Sequence, residues 1–106
     1  MYLSSNNKNC IIFQVAFQNI FDMIVCIIYL HSQKFSFVHI DVDLYEPTRD
    51  SLEFFFPRIV ERGVIVVDDY GMTQFPGCKK AVDEFLSRNK FTFFYEMPIG
   101  GCFVLK

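Results

Sequence analysis

Glycine is scarce in the first half of the sequence, and tryptophan is absent altogether. All five glycines lie at or beyond Gly63. Residues 1–62 therefore contain no glycine-rich loop, the element that lets backbone N–H groups approach a nucleotide cofactor in open α/β sheets. A cofactor site of that kind is excluded from this part of the chain.

Closely spaced cysteines are also missing. The four cysteines form no C-x-x-C pair and have no histidine at zinc-site spacing. They are Cys10, Cys26, Cys78 and Cys102. We expect free thiols in a reducing compartment, which predicts a cytoplasmic protein.

Charge of one sign is not concentrated anywhere. The formal net charge is -2, and no cluster of Lys and Arg is present. Nucleic-acid binding needs a basic surface that displaces phosphate counterions, so neither RNA nor DNA is an expected partner. The hydrophobic fraction of 52% is high enough for a packed core, which excludes an intrinsically disordered chain.

Residues 1–33 differ in composition from residues 34–106, and we treat them as separate parts. Before Lys34 the charged side chains are Lys8 and Asp22 alone. The long apolar run Ile11–Leu30 carries polar residues at helical spacing, which would form a stripe on an apolar helix. They are Gln14, Gln18, Asn19 and Asp22. The central Asp disfavours a membrane span. A helix or strand packed on the rest of the fold, or on a missing partner segment, is expected.

From Phe35 the pattern is regular. Phe35–Asp41 is a β-prone run that ends in carboxylates, and Gly63–Asp69 contains four consecutive aliphatic residues of the kind found in central parallel strands. Between them, apolar residues recur at helical spacing from Pro47 until Arg62 and Gly63 close the helix.

A second helical pattern begins after the loop that contains Pro76 and extends to about Asn89. The β-prone runs Phe91–Glu96 and Cys102–Leu105 follow, joined by a turn with two glycines. The order of strand, helix, strand, helix and antiparallel strand pair predicts an α/β sheet.

Carboxylates follow both predicted parallel strands. Asp41 and Asp43 come after the first strand, and Asp68 and Asp69 end the second. Because the carboxyl ends of neighbouring parallel strands meet at one edge of a sheet, we expect these acids to converge. Clustered carboxylates repel one another, and a hard cation such as Mg²⁺ is their natural partner. The alternative is that they only cap the helices that follow.

Three separated strings resemble those of one enzyme family. His39–Thr48 (HIDVDLYEPT) and Gly63–Gly71 (GVIVVDDYG) resemble the two signature stretches of the TylF-type macrocin O-methyltransferases. Pro76–Phe85 is similar to the next helix of that family, and the likeness extends over Phe35–Lys106. The resemblance implies the C-terminal half of a Rossmann-like sheet and Mg²⁺-assisted methyl transfer from S-adenosylmethionine to a hydroxyl of a sugar or other small molecule.

The resemblance also implies roles for individual residues. Asp41, Asp68 and Asp69 would be metal ligands, and Asp41 or Asp43 would accept the hydroxyl proton. The tyrosines beside the motifs, Tyr45 and Tyr70, would line the substrate pocket or simply pack on its wall. His39, inside the first strand, is expected to be a packed or hydrogen-bonded residue rather than a ligand.

The family's cofactor-binding half has no counterpart in residues 1–33, so we expect a truncated fragment that is inactive alone. Its partner would be the missing N-terminal half or a second copy of the chain. Two other functions remain open. One is a non-catalytic binding or oligomerisation module, and the other is a receiver-type phosphoacceptor domain, which the absence of a Lys-Pro step disfavours.

Overall fold

The described residues build one mixed β-sheet with two helices packed against one of its faces. The computed structural model describes residues 2–5, 11–15, 28 and 32–106. The elements are β1 Tyr2–Ser5, β2 Ile11–Val15, β3 Phe35–Ile40, α1 Tyr45–Phe55, a 3-10 turn Phe56–Arg58, β4 Ile59–Val67, α2 Pro76–Arg88, β5 Phe93–Glu96 and β6 Cys102–Leu105. The strand order in the sheet is β1-β2-β3-β4-β6-β5.

The two strands that carry the acidic motifs are parallel neighbours. Val38 pairs with Ile65 and Ile40 pairs with Val67, so β3 and β4 end at the same edge of the sheet. Strand β6 pairs antiparallel with both β4 and β5. The predicted α/β order of strand, helix, strand, helix and terminal strand pair is confirmed.

The N-terminal segment adds two strands to this sheet. Strand β2 pairs parallel with β3, and β1 pairs antiparallel with β2. Of the two expected forms, helix or strand, residues 11–15 take the strand, because the β-branched and aromatic sequence Ile-Ile-Phe favours an extended chain paired with β3. The remaining polar positions, Gln18, Asn19 and Asp22, lie outside the described residues.

Helix α1 ends earlier than the sequence pattern predicts. It stops at Phe55 instead of near Gly63, because Pro57 has no N–H to donate to a carbonyl one turn back. The chain is extended from Ile59 onward. The Nζ of Lys106 donates to the backbone carbonyls of Phe56 and Ile59, at 2.9 Å each, where the 3-10 turn passes into β4.

The core lies between the helices and one face of the sheet. Alternate strand residues point into it, as the period of two in a β-strand requires. The strands contribute Val38, Ile40, Ile65, Val67, Cys102 and Val104, and the helices contribute Leu52, Phe55, Cys78, Val82 and Phe85. Within the part of the chain that the structure describes, neither helix has the length and apolar character needed to cross a membrane.

Candidate active site

A tight turn after β3 holds the first two aspartates together. The N–H of Leu44 donates to the carbonyl of Val42 at 2.6 Å, and Asp43 between them has a φ of 62°. This left-handed conformation is uncommon outside glycine, and Asp is among the residues that tolerate it best. The turn keeps the Asp43 carboxylate close to that of Asp41 at the end of the strand.

The aspartate from the neighbouring strand completes an acidic cluster. Asp41, Asp43 and Asp69 each offer a carboxylate oxygen within 4.8 Å of the others. The N–H of Asp68 donates to the carbonyl of Ile40 at 3.0 Å, which ties the two strand ends together. Three carboxylate oxygens from two neighbouring strand ends can therefore converge on one divalent ion.

Asp68 lies outside this cluster. Its side chain is 52% exposed, and its Oδ1 is 3.4 Å from the Nε2 of the half-buried His39. The predicted ligand set of Asp41, Asp68 and Asp69 therefore differs by one member from the set that the geometry brings together, which has Asp43 in place of Asp68. The role of each acid as ligand or base remains a prediction.

Asp69 is the electrostatically unusual member of the cluster. Burial, a hydrogen bond with Asp43 and the charges of Asp43, Asp41 and Asp68 together raise its pKa to about 7. Its Oδ2 is buried and finds no hydrogen-bond partner among the described residues. A buried oxygen without a partner, surrounded by like charges, is the environment that a divalent cation would stabilise. The donor set therefore fits a hard, oxygen-binding ion such as Mg²⁺.

The two tyrosines beside the motifs are held by residues of α2. The hydroxyl of Tyr70 donates to Asp83 at 2.6 Å, and Lys79 donates to the same carboxylate at 2.6 Å. Burial and the Asp83 hydrogen bond raise the pKa of Tyr70 to about 12, so its hydroxyl stays protonated. The hydroxyl of Tyr45 donates to Glu84 at 2.5 Å.

A groove of about 690 Å³ lies between the loop that follows Asp69 and helix α2, and none of the three clustered aspartates is among its lining residues. It is lined by Tyr70, Gly71, Met72, Thr73, Pro76, Lys79, Lys80, Asp83, Glu84 and Glu96. Of the two predicted pocket residues, Tyr70 borders the groove, and Tyr45 approaches it through its partner Glu84. The charged side chains that α2 contributes to the groove were not predicted as site residues. Their i, i+4 spacing, Lys79 with Asp83 and Lys80 with Glu84, marks them as one helix face.

The turn between β5 and β6 braces the loop that follows Asp69. The N–H of Gly71 donates to the carbonyl of Gly100, and Gly100 has a φ of 105°. A Cβ at Gly100 would lie 2.8 Å from the Sδ of Met72. The positive φ is what favours glycine at this position, since the flexible Met72 side chain could move aside.

Comparison with known proteins gives consistent matches. The family model described as macrocin-O-methyltransferase (TylF) matches residues 25–97. The chain is 43% identical over 51 residues to demethyldecarbamoylnovobiocin O-methyltransferase from Streptomyces niveus, a stretch covering 48% of this chain and 19% of that protein. It is 34% identical over 55 residues to the 8-demethyl-8-(2,3-dimethoxy-alpha-L-rhamnosyl)-tetracenomycin-C 4'-O-methyltransferase from Streptomyces olivaceus, which covers 52% of this chain and 20% of that protein.

Solved structures of O-methyltransferases are also similar to this chain. The O-methyltransferase NovP superposes with a TM-score of 0.62 at 30% identity, over 70% of this chain and 30% of NovP. An O-methyltransferase from Bacillus cereus, solved with SAH, has a TM-score of 0.59 at 12% identity over 90% of this chain and 62% of that one. The second likeness supports the fold alone. The matched stretches amount to about a fifth of each curated relative.

Proposed function

The chain belongs to the macrocin-O-methyltransferase (TylF) family, and we propose that it forms the metal- and acceptor-binding side of a methyltransferase active site. The reaction would transfer the methyl group of S-adenosylmethionine to a hydroxyl of a sugar or another small molecule. The observation that carries the proposal is the convergence of Asp41, Asp43 and Asp69 at the ends of two neighbouring strands.

A Mg²⁺ ion is the proposed resident metal. Asp41 and Asp69 would bind it, with Asp43 or Asp68 as the third carboxylate, and when bound it would orient the acceptor hydroxyl and lower its pKa. Asp41 or Asp43, beside the ion, would take the hydroxyl proton. That transfer would accompany formation of the new carbon–oxygen bond and cleavage of the carbon–sulfur bond of S-adenosylmethionine. Tyr70 stays protonated and would act as a hydrogen-bond donor or packing surface.

The proposed acceptor is a hydroxyl on a sugar. The name of the Streptomyces olivaceus relative specifies a rhamnosyl group, and the groove between α2 and the loop after Asp69 carries side chains of both charges. Lys79 and Lys80 are each within ion-pair distance of a carboxylate of the same helix, so the groove presents paired charges instead of a free basic surface. This arrangement suits hydroxyl groups, which both donate and accept hydrogen bonds.

The cofactor is proposed to bind chiefly to parts of the family fold that residues 1–106 do not match. The matched relatives are about five times as long as the stretches they share with this chain. The 106-residue chain would then bind Mg²⁺ while showing little affinity for S-adenosylmethionine and no methyl transfer on its own.

Parallel calorimetric titrations test this division. We expect the chain to bind Mg²⁺ with a stoichiometry near one and to give no saturable heat with S-adenosylmethionine. Asp69→Asn should weaken Mg²⁺ binding at least tenfold, whereas Glu61→Gln, a charge-matched change at an exposed position, should leave it unchanged. Tight binding of S-adenosylmethionine by this chain would contradict the proposed division, and the absence of Mg²⁺ binding would contradict the proposed metal site.

A further inference from the structure

The backbone that carries Asp69 lies in a turn between β4 and α2. The Asp69 carboxylate has little to hold it, because its Oδ2 has no hydrogen-bond partner among the described residues and its hydrogen bond with Asp43 joins two acids. The residues that follow belong to neither a helix nor a strand until α2 begins at Pro76. The position of this carboxylate therefore depends on what anchors the turn.

Tyr70, the next residue along the chain, anchors the turn through its side chain. It is only 5% exposed, and its ring packs edge-on against Phe94 at a centroid distance of 5.4 Å. Its hydroxyl donates to the Oδ1 of Asp83 at 2.6 Å, a bond that crosses 13 positions of sequence and joins the turn to α2. A packed ring with a bonded hydroxyl is held at both ends, so it fixes the backbone beside Asp69.

Lys79 holds Asp83 in place for this contact. The Nζ of Lys79 donates to the Oδ2 of Asp83 at 2.6 Å and lies 3.3 Å from the hydroxyl oxygen of Tyr70. Because Lys79 and Asp83 are four positions apart, α2 presents them as one pair on a single helix face. Both oxygens of Asp83 thus accept a hydrogen bond, one from the turn and one from the helix.

We propose that Asp83 is a positioning residue for the metal site: by holding the Tyr70 hydroxyl, it sets where the Asp69 carboxylate meets the other clustered acids. The inference rests on the proposed function, because it gives α2 a part in binding the cation that the cluster would hold. Groups that orient metal ligands without touching the ion commonly change metal affinity when they are removed.

Two substitutions at Asp83 separate its hydrogen bond from its charge. Asp83→Asn and Asp83→Leu both remove the charge, and only Asn keeps an oxygen that can accept from Tyr70. In calorimetric titrations we expect Asp83→Leu to weaken Mg²⁺ binding about tenfold and Asp83→Asn to stay within about twofold of the wild type. Tyr70→Phe, which deletes the hydroxyl alone, should match Asp83→Leu, and the double variant should lose little more than either single variant.

NMR relaxation of the metal-free proteins tests the positioning directly. The amide order parameter of Asp69 should fall in Tyr70→Phe and in Asp83→Leu, and it should keep its wild-type value in Asp83→Asn. The matched control is Glu53→Leu, which removes an ion-paired carboxylate, 56% exposed, from α1. It should change neither the order parameter nor the affinity for Mg²⁺.

Two results would overturn the inference. One is equal Mg²⁺ binding by the wild type and Tyr70→Phe. The other is an equal loss in the two Asp83 variants, which would assign the effect to charge. A wild-type chain that binds no Mg²⁺ would instead overturn the proposed function, and the order parameter of Asp69 would still decide whether Asp83 holds this turn.

Discussion

The charge state of Asp69 follows from its position between a buried strand end and two other carboxylates. Burial and like charges both favour its protonated form, which is why its pKa rises from 3.8 to about 7. An acid with a raised pKa in the folded state binds a proton more tightly there than in the unfolded chain. Ionising Asp69 therefore costs folding free energy over the interval between these two values.

The first prediction is a pH dependence of stability in the presence of a chelator. As pH rises from about 4 to about 7, the native state loses stability through Asp69, because the folded protein binds more protons than the unfolded chain in this range. Urea denaturation of the wild type and Asp69→Asn at several pH values measures the effect. The stability difference between the two proteins should shift in favour of Asp69→Asn with increasing pH. A difference that stays constant would contradict this account.

The second prediction concerns the turn at Asp43. Asp43→Asn and Asp43→Ala both remove the charge, and they differ in how well the new residue tolerates a φ of 62°. The Ala variant should be less stable than the Asn variant by about 1 kcal/mol, because a left-handed conformation costs an ordinary side chain roughly 1–2 kcal/mol. Urea denaturation of the pair measures it. Equal stability would mean that the turn relaxes when Asp43 is replaced.

Residue identities in the site were partly predictable from sequence. The acids that follow the two strands were found because carboxylates at strand ends are a local signal. Their convergence was also predicted, but the exact three members of the cluster were not, because membership depends on the turn at Asp43 and on the His39–Asp68 contact, which joins residues 29 positions apart. The partners of Tyr45 and Tyr70 on α2 were missed for the same reason.

At the scale of elements, Lys106 links the chain terminus to the end of α1. Its Nζ donates to the carbonyls of Phe56 and Ile59 and lies 5.1 Å from the centroid of the Phe56 ring. The contact spans about 50 residues of sequence and closes the region where Pro57 ends the helical hydrogen bonding. A helix pattern read from apolar spacing alone overlooks this break, which explains why α1 is shorter than predicted.

The third prediction tests this contact. Lys106→Met removes the donor while keeping most of the apolar side chain, and it should lower the free energy of unfolding by about 1–3 kcal/mol because charged donors to buried carbonyls are worth that much. Chemical denaturation provides the measurement. Lys90→Met, at an exposed position, is the matched control and should change stability by less than about 0.5 kcal/mol. Equal effects of the two changes would show that the Lys106 contacts contribute little.

At the scale of the whole molecule, the sheet order is what turns two separate motifs into one site. The β3–β4 adjacency was predictable because a strand, helix and strand with matching aliphatic character usually form a parallel pair. The two N-terminal strands were less predictable, since the apolar sequence Ile11–Val15 suits a helix or a strand and forms a strand paired with β3. Periodicity within a single segment carries no information about such a partner.

The proposed function requires one hard cation to bind where β3 and β4 end. Paramagnetic Mn²⁺, which takes the same oxygen ligands as Mg²⁺, can locate that site by broadening amide NMR signals of nearby residues. We predict that substoichiometric Mn²⁺ first broadens residues 41–43 and 68–70, that excess Mg²⁺ restores them, and that Asp69→Asn abolishes the effect. Broadening that begins instead at Asp83, Glu84 and Glu96, or no selective broadening at all, would contradict the account.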